Sequence, residues 1–242
     1  MKFAAVLLSL AVLIAATPVR ADDPVQSHWR SDDLRVVIDG VMTDWPGQVF
    51  VSKEVSTSVV NDAQDIYILI ATSNPAVNLQ LTRAGLAIYL DPKGGKSQRF
   101  GIRIPPIGSR LEPGNAPTSA DDPPVLSYFD VIGPGTDDMK KVELADGTGI
   151  DLRIGSHDGT FFLELKVPFA TATGQPYAPG ITLAKREVGL GIVTPDPQRV
   201  GRPSRGGRGG GFSGGGMGIG MPSPAKGKAI DIWTKVLLAQ RP

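Results

Sequence analysis

The chain has 242 residues, of which 30 are Gly, 21 are Pro, two are His and none is Cys. Its length allows one large domain or two small ones, and 41% hydrophobic against 20% charged residues leaves enough apolar side chain for a packed core. Without Cys there is no disulfide framework, thiolate zinc site, cysteine nucleophile or lipidated cysteine, and two His argue against His-based catalysis or a multi-His metal site.

The first segment reads as a secretory leader. Met1 and Lys2 form a short basic start, residues 3–16 are apolar except for Ser9, and Val19 and Ala21 occupy positions −3 and −1 of a cut after Ala21. As a helix the apolar run would reach about 21 Å, short of a hydrocarbon core of about 30 Å, so a cleaved leader over 1–21 is expected rather than a membrane anchor. No later segment is apolar for long enough to span a membrane. Losing Lys2 and Arg20 with the leader takes the formal net charge from +1 to −1. A near-neutral chain has no general electrostatic pull on nucleic acid or anionic membrane. Export to a periplasm or the cell exterior is expected, consistent with a cysteine-free chain of bacterial type.

Residues 22–33 (DDPVQSHWRSDD) are polar and are expected to be a flexible lead-in to one domain over 34–242. Short β-prone runs separated by turn signals follow. Val36-Val37-Ile38 ends in Asp39-Gly40, and the Trp45-Pro46-Gly47 turn precedes Val49-Phe50-Val51. Asn61 to Asp65 leads into Ile66–Ala71. Leu86–Leu90 and Arg99–Ile104 flank Asp91-Pro92-Lys93-Gly94-Gly95 as a hairpin. Strands are expected again over 126–132, 141–144, 150–154, 161–167, 188–193 and 230–238. No long amphipathic helical period is present. About ten short strands predict an all-β fold, an antiparallel β-sandwich of immunoglobulin-like or jelly-roll-like type with long loops.

Two segments break the pattern. Residues 105–124 carry six Pro and two Gly and predict a long loop. Residues 195–228 place Arg202, Arg205 and Arg208 among runs of Gly, predicting a disordered insertion between two strands. Arg-Gly repeats can bind RNA through phosphate charge and stacking on an aromatic such as Phe212. With few repeats, one aromatic and export, no nucleic-acid partner is expected, and an envelope polysaccharide or lipid headgroup suits these charges better.

Strand alternation locates the candidate ligand residues. In 99–104 the even positions are apolar and Arg99 and Arg103 fall on the other side; in 230–238 the even positions Ile230, Ile232, Val236 and Leu238 face the core and Trp233 faces outward among charged neighbours. Tyr67 and Tyr89 occupy the less aliphatic faces of their strands. An outward face bearing Trp, Tyr and Arg suits carbohydrate, because rings stack on the C–H face of a pyranose and Arg bonds its hydroxyls. Trp233, Tyr67, Tyr89, Arg99 and Arg103 are therefore the candidate binding residues, with Trp45 expected to be a structural plug. Asp39, Asp44, Asp62, Asp65 and Asp91 lie in or beside turns; loop carboxylates can bind calcium, but without EF-hand spacing no metal site is assigned. Glu164 sits on a regular strand, His157 in a turn, and neither marks a catalytic group.

The order of these motifs resembles that of the family 9 carbohydrate-binding-module-like domains of the DOMON-like superfamily. Ile38-Asp39-Gly40 with Asp44-Trp45-Pro46-Gly47 is similar to the family's opening motif. Asn61-Asp62 before Asp65–Ile70, Leu90-Asp91-Pro92 before Phe100-Gly101-Ile102, and Phe162–Phe169 are similar to its later strands. The resemblance implies an antiparallel β-sandwich that binds rather than catalyses, most often carbohydrate, with an aromatic pair and calcium in sugar-binding members and haem in some relatives. Haem needs an axial ligand, and His28 and His157 lie in the lead-in and a turn. The expectation is an exported non-catalytic carbohydrate-binding protein. Its rivals are an envelope structural or interaction module without a sugar site and, further off, a glycoside hydrolase.

Overall fold

The computed structural model describes residues 24–47, 50–107, 126–133, 139–194 and 229–242. The expected leader, most of the 105–124 loop and the Gly/Arg-rich tract at 195–228 lie outside the described residues. Thirteen strands are described, with one α-helix: β1 Val25–Gln26, β2 His28–Trp29, β3 Phe50–Ser52, β4 Val55–Asn61, β5 Asp65–Thr72, α1 Pro75–Ala84, β6 Leu86–Asp91, β7 Gly101–Ile104, β8 Tyr128–Ile132, β9 Met139–Glu143, β10 Asp151–His157, β11 Thr160–Pro168, β12 Glu187–Val193 and β13 Asp231–Leu237. They form a seven-stranded sheet in the order β1-β13-β12-β6-β7-β8-β9 and a six-stranded sheet in the order β10-β11-β5-β4-β2, with β3 also paired to β4.

The two sheets form a sandwich over one apolar core. Ile66, Ile68 and Ile70 of β5 and Leu163 and Leu165 of β11 face inward from one side; Ile88 and Leu90 of β6, Ile102 of β7, Phe129 of β8 and Leu190 and Ile192 of β12 face inward from the other. The period-two alternation that assigned these faces from sequence holds in the structure.

Four expectations are corrected. Residues 24–29 are not a flexible lead-in: β1 pairs parallel with β13 and β2 parallel with β4, so the segment contributes a short strand to each sheet. Both sheets are therefore mixed rather than purely antiparallel. Val36–Ile38 is not a strand, because its apolar side chains pack onto the outside of the six-stranded sheet instead of joining a ladder. Finally, α1 is a helix that a search for long amphipathic periods misses. Its signals are at its ends: Asn74 caps it by accepting from the Ala76 and Val77 N–H groups, Pro75 opens the first turn, and Gly85 at φ +76° ends it. A Cβ at Gly85 would stand 2.5 Å from the Ile104 carbonyl oxygen, so glycine is required there twice over.

The crossing of residues 24–29 between sheets is fixed by Asn61, which has no exposed surface. Its Oδ1 accepts from Ser27 Oγ and from the Ala239 N–H at 2.9 Å, while its Nδ2 donates to the Ala239 carbonyl at 3.1 Å. The side chain thus mimics a strand backbone and joins β4 of one sheet to the chain just after β13 of the other. Replacing Asn61 with Ala leaves buried donors and acceptors unpaired and is expected to destabilise the fold by about 3 kcal/mol. A shift of the urea midpoint, with a local loss of amide protection at Ser27 and Ala239, would register it; protection unchanged at both would refute the account.

The outer face of the six-stranded sheet is closed by residues 34–47. Val36 and Trp45 pack there on Val60, Tyr67, Leu69, Ala71 and Phe162, with Leu34, Ile38 and Met42 at the margin. The cover is held by Glu164 of β11, whose side chain is fully buried. Its Oε2 accepts from the Asp39 and Gly40 N–H groups at 3.1 and 2.7 Å, and its Oε1 from the Trp45 indole N–H at 2.7 Å. One carboxylate therefore joins the Ile38-Asp39-Gly40 and Asp44-Trp45 motifs to the Phe162–Phe169 strand. Burial pushes the Glu164 carboxyl above its ordinary value, against the pull of the Gly40 and Trp45 donors.

Candidate ligand-binding face

Among the described residues, none covers Trp233 and Tyr89 on the outer face of the seven-stranded sheet as residues 34–47 cover the other sheet. Register places Trp233 of β13 beside Gly191 of β12, Gly191 beside Tyr89 of β6, and Tyr89 beside Gly101 of β7. Each aromatic residue is thus followed across the sheet by a glycine. A Cβ at Gly191 would stand 2.6–2.7 Å from Cη2, Cζ2 and Cζ3 of Trp233. Near-equal distances to three successive ring carbons put the face of the ring, not its edge, over the glycine. Likewise a Cβ at Gly101 would stand 2.6 Å from Cδ1 and 3.0 Å from Cε1 of Tyr89.

The two rings are nearly parallel, at 12°, with centroids 6.0 Å apart. The outcome is a pair of half-buried aromatic tiles on a floor of glycine backbone. Gly191→Ala is expected to lift the Trp233 ring, since neither the backbone nor the ring can accept a methyl at that distance. The fold should survive while Trp233 fluorescence moves toward that of exposed indole; an unchanged spectrum would contradict the flat placement.

The face has distinct borders. On one side the β6–β7 loop folds over it: a Cβ at Gly189 would stand 1.9 Å from the Gly95 carbonyl oxygen. Asp91 is buried there and uses both carboxylate oxygens on the loop, accepting from the Lys93 N–H at 3.0 Å and the Ser97 N–H at 3.1 Å. On the other side lies Arg103 of β7, whose Nη1 is 3.9 Å from Asp130 Oδ2 and 3.3 Å from Met139 Sδ. Burial raises the Tyr89 phenol above its ordinary value while the Arg103 cation pulls it down, so Tyr89 keeps its hydroxyl proton near neutral pH.

The structure thus brings Trp233, Tyr89 and Arg103 onto one face and separates the other two candidates. Tyr67 points outward from its strand as alternation requires, but from the opposite sheet. It lies beneath residues 34–47, 5% exposed, with its hydroxyl donating to Asp62 Oδ2 at 3.0 Å and the Arg30 guanidinium 5.1 Å above its ring. It is a structural residue of the cover. Arg99 is exposed on the β6–β7 loop, at the rim of a cleft of about 570 Å³ between that loop and residues 171–179, lined by Leu90, Phe100, Val131 and Tyr177. Sequence reasoning missed Gly191 and Gly101; the available signal was glycine within β-prone runs, which marks a close approach to the backbone.

The turn carboxylates do not converge. Asp39 accepts from the Val41 N–H and Asp62 from the Gln64 and Asp65 N–H groups, each completing its own turn, while Asp44 accepts from the Val37 N–H seven residues before it. Among the described residues, no group of three or more His, Cys, Asp or Glu side chains gathers. Likewise, no described helix is long and apolar enough to cross a membrane.

No family model matches the sequence, and no curated protein matches it. Among solved structures the chain is similar to a family 9 carbohydrate-binding module from Caldicellulosiruptor kristjanssonii in complex with glucose, at 10% identity and a TM-score of 0.43, covering 91% of this chain and 97% of that one. It is also similar to a family 9 module from the same organism in complex with cellotriose, at 9% identity and a TM-score of 0.38, covering 91% and 95%.

Proposed function

We propose that the protein is an exported, non-catalytic carbohydrate-binding module whose ligand lies on the outer face of the seven-stranded sheet. The observation that carries this reading is the Trp233–Tyr89 pair, held flat over Gly191 and Gly101 on the face that residues 34–47 leave open. A sugar ring has one face of C–H groups and a rim of hydroxyls. The aromatic tiles suit the first, and Arg103 with Asp130 offers donors and acceptors to the second. Stacking on a level surface needs no deep pocket, and its geometry is preorganised by the glycine floor.

Glu164, the fully buried carboxylate, lies on the outer side of the opposite sheet and is engaged by three N–H donors. The test is affinity electrophoresis of the purified protein through gels containing soluble glucans, xylans and mannans, with calcium and with chelator. Retardation by at least one polysaccharide is the expected result. Free migration in all of them would displace this reading in favour of an envelope-interaction role.

A further inference from the structure

The aromatic pair belongs to a longer alignment. Register continues from Gly101 of β7 to Ile132 of β8, and from Ile132 to Met139 of β9. A single cross-strand row, Trp233–Gly191–Tyr89–Gly101–Ile132–Met139, therefore crosses six adjacent strands of the outer face without a charged residue. At about 4.8 Å per strand it is about 24 Å long, room for roughly five sugar rings. The row beside it, read by the same register, is Asp231–Val193–Ala87–Arg103–Asp130–Lys141. Its two carboxylates and two cations alternate in sign, and their formal charges cancel.

We infer that the ligand is a linear, uncharged polysaccharide chain laid across the strands, its rings flat on the Trp233-to-Met139 row and its hydroxyls along the Arg103–Asp130 row. This inference rests on the carbohydrate reading above and adds the direction, the extent and the class of the ligand. The direction follows from what surrounds Trp233 and Tyr89. Along its own strand Trp233 is flanked by Asp231 and Lys235, and Tyr89 by Ala87 on one side and the buried Asp91 under the Gly95 carbonyl on the other. Across the strands it meets only glycine and apolar side chains.

The extent follows from Met139, which is 51% exposed at the far edge of the sheet. Arg103 reaches across β8 toward its sulfur, so the charged row borders the apolar row at that end too. The class follows from charge. A polyanion would meet Asp130 and Asp231, a polycation would meet Arg103 and Lys141, and a wholly apolar partner would strip water from all four. A neutral polyhydroxyl chain can donate to the carboxylates and accept from the cations.

The experiment is calorimetric titration of the protein with linear β-1,4-linked oligosaccharides of glucose, xylose and mannose, from two to six units. In the sugar that binds best, affinity is expected to climb roughly tenfold between two and five units and then level off. Met139→Ala, at an exposed edge position, should leave the melting temperature unchanged while cutting affinity for the five-unit chain about fivefold more than affinity for the disaccharide. Trp233→Ala should weaken binding about a hundredfold at every length. Affinity that is flat from two units onward, with Trp233→Ala still weakening it about a hundredfold, would overturn the extended row and leave the sugar reading standing. No binding at any length, in all three series, would overturn both.

Discussion

Replacing Glu164 with Ala is expected to lower the stability of the fold by about 4 kcal/mol, the largest effect of any single change outside the apolar core. Three donors, the Asp39 and Gly40 N–H groups and the Trp45 indole, converge on this carboxylate and lose their acceptor together. A buried donor left unpaired costs about 1–3 kcal/mol, partly offset here by removing a desolvated charge. The loss should be local before it is global. Residues 34–47 should exchange their amides faster and Trp45 fluorescence should shift to the red, while the core ladder β5–β11 stays protected. Uniform loss of protection across both sheets would refute this description of the cover.

Glu164→Gln keeps the shape but turns an N–H toward one of the donors, and should cost about half as much. Its pH dependence is also fixed in sign. Because burial holds the Glu164 carboxyl above its ordinary value of 4.5, the folded state binds that proton more tightly than the unfolded chain does. The contribution is fully present below the unfolded value and fades as pH rises through the folded one. The stability gap between wild type and Glu164→Gln should therefore narrow as the pH is raised from 4.5 toward neutrality, measured as urea midpoints at each pH. A gap that widens would mean that the three donors, not burial, set the titration.

The second large effect is on binding. Trp233→Ala removes the larger tile and exposes the Gly191 backbone, so affinity for any stacked sugar should fall by about 2–3 kcal/mol, roughly a hundredfold. Tyr89→Ala should cost less, about tenfold, because its ring is smaller. Trp233→Phe should recover part of the loss, since a flat ring still covers the glycine. Melting temperatures should stay within a few degrees, as both rings lie outside the core between the sheets. Full affinity in Trp233→Ala would remove this face from consideration.

Much of this was legible from residues alone. Alternation by two along Ile230–Leu238 puts Trp233 outside the core, and the same rule puts Tyr89 and Arg103 outside theirs. The rule assigns a side of a strand, not a side of the molecule. Tyr67 obeys it as faithfully as Tyr89 does, yet lies on the other sheet under residues 34–47. That cover is itself hard to read, since Val36-Val37-Ile38 has the composition of a strand and no local feature says that its partner is a sheet face rather than a ladder. Register is likewise a tertiary fact: only the pairing of β13, β12, β6, β7, β8 and β9 brings Ile132 and Met139 into line with Trp233. The helix α1 was legible in Asn74-Pro75 and Gly85, but only to a reading that weighs caps above periodicity.

The meeting of Ser27 with Ala239 sets the order in which the fold can be completed. The two residues are 212 positions apart, and Ala239 donates to both Ser27 Oγ and Asn61 Oδ1. Closing so wide a loop adds little to the equilibrium cost, because loop entropy grows only with the logarithm of length. It weighs on the rate instead, since contacts between remote parts of a chain form late. Sheets built on local hairpins such as β6–β7 and β10–β11 can assemble early, whereas the edge strands β1 and β2 find their places only after β13 and β4 have theirs. The Ser27–Asn61–Ala239 junction is therefore expected to act as a clasp that shuts late, which pulse-labelled amide exchange during refolding would register as protection at Ala239 arriving after that of β6 and β11.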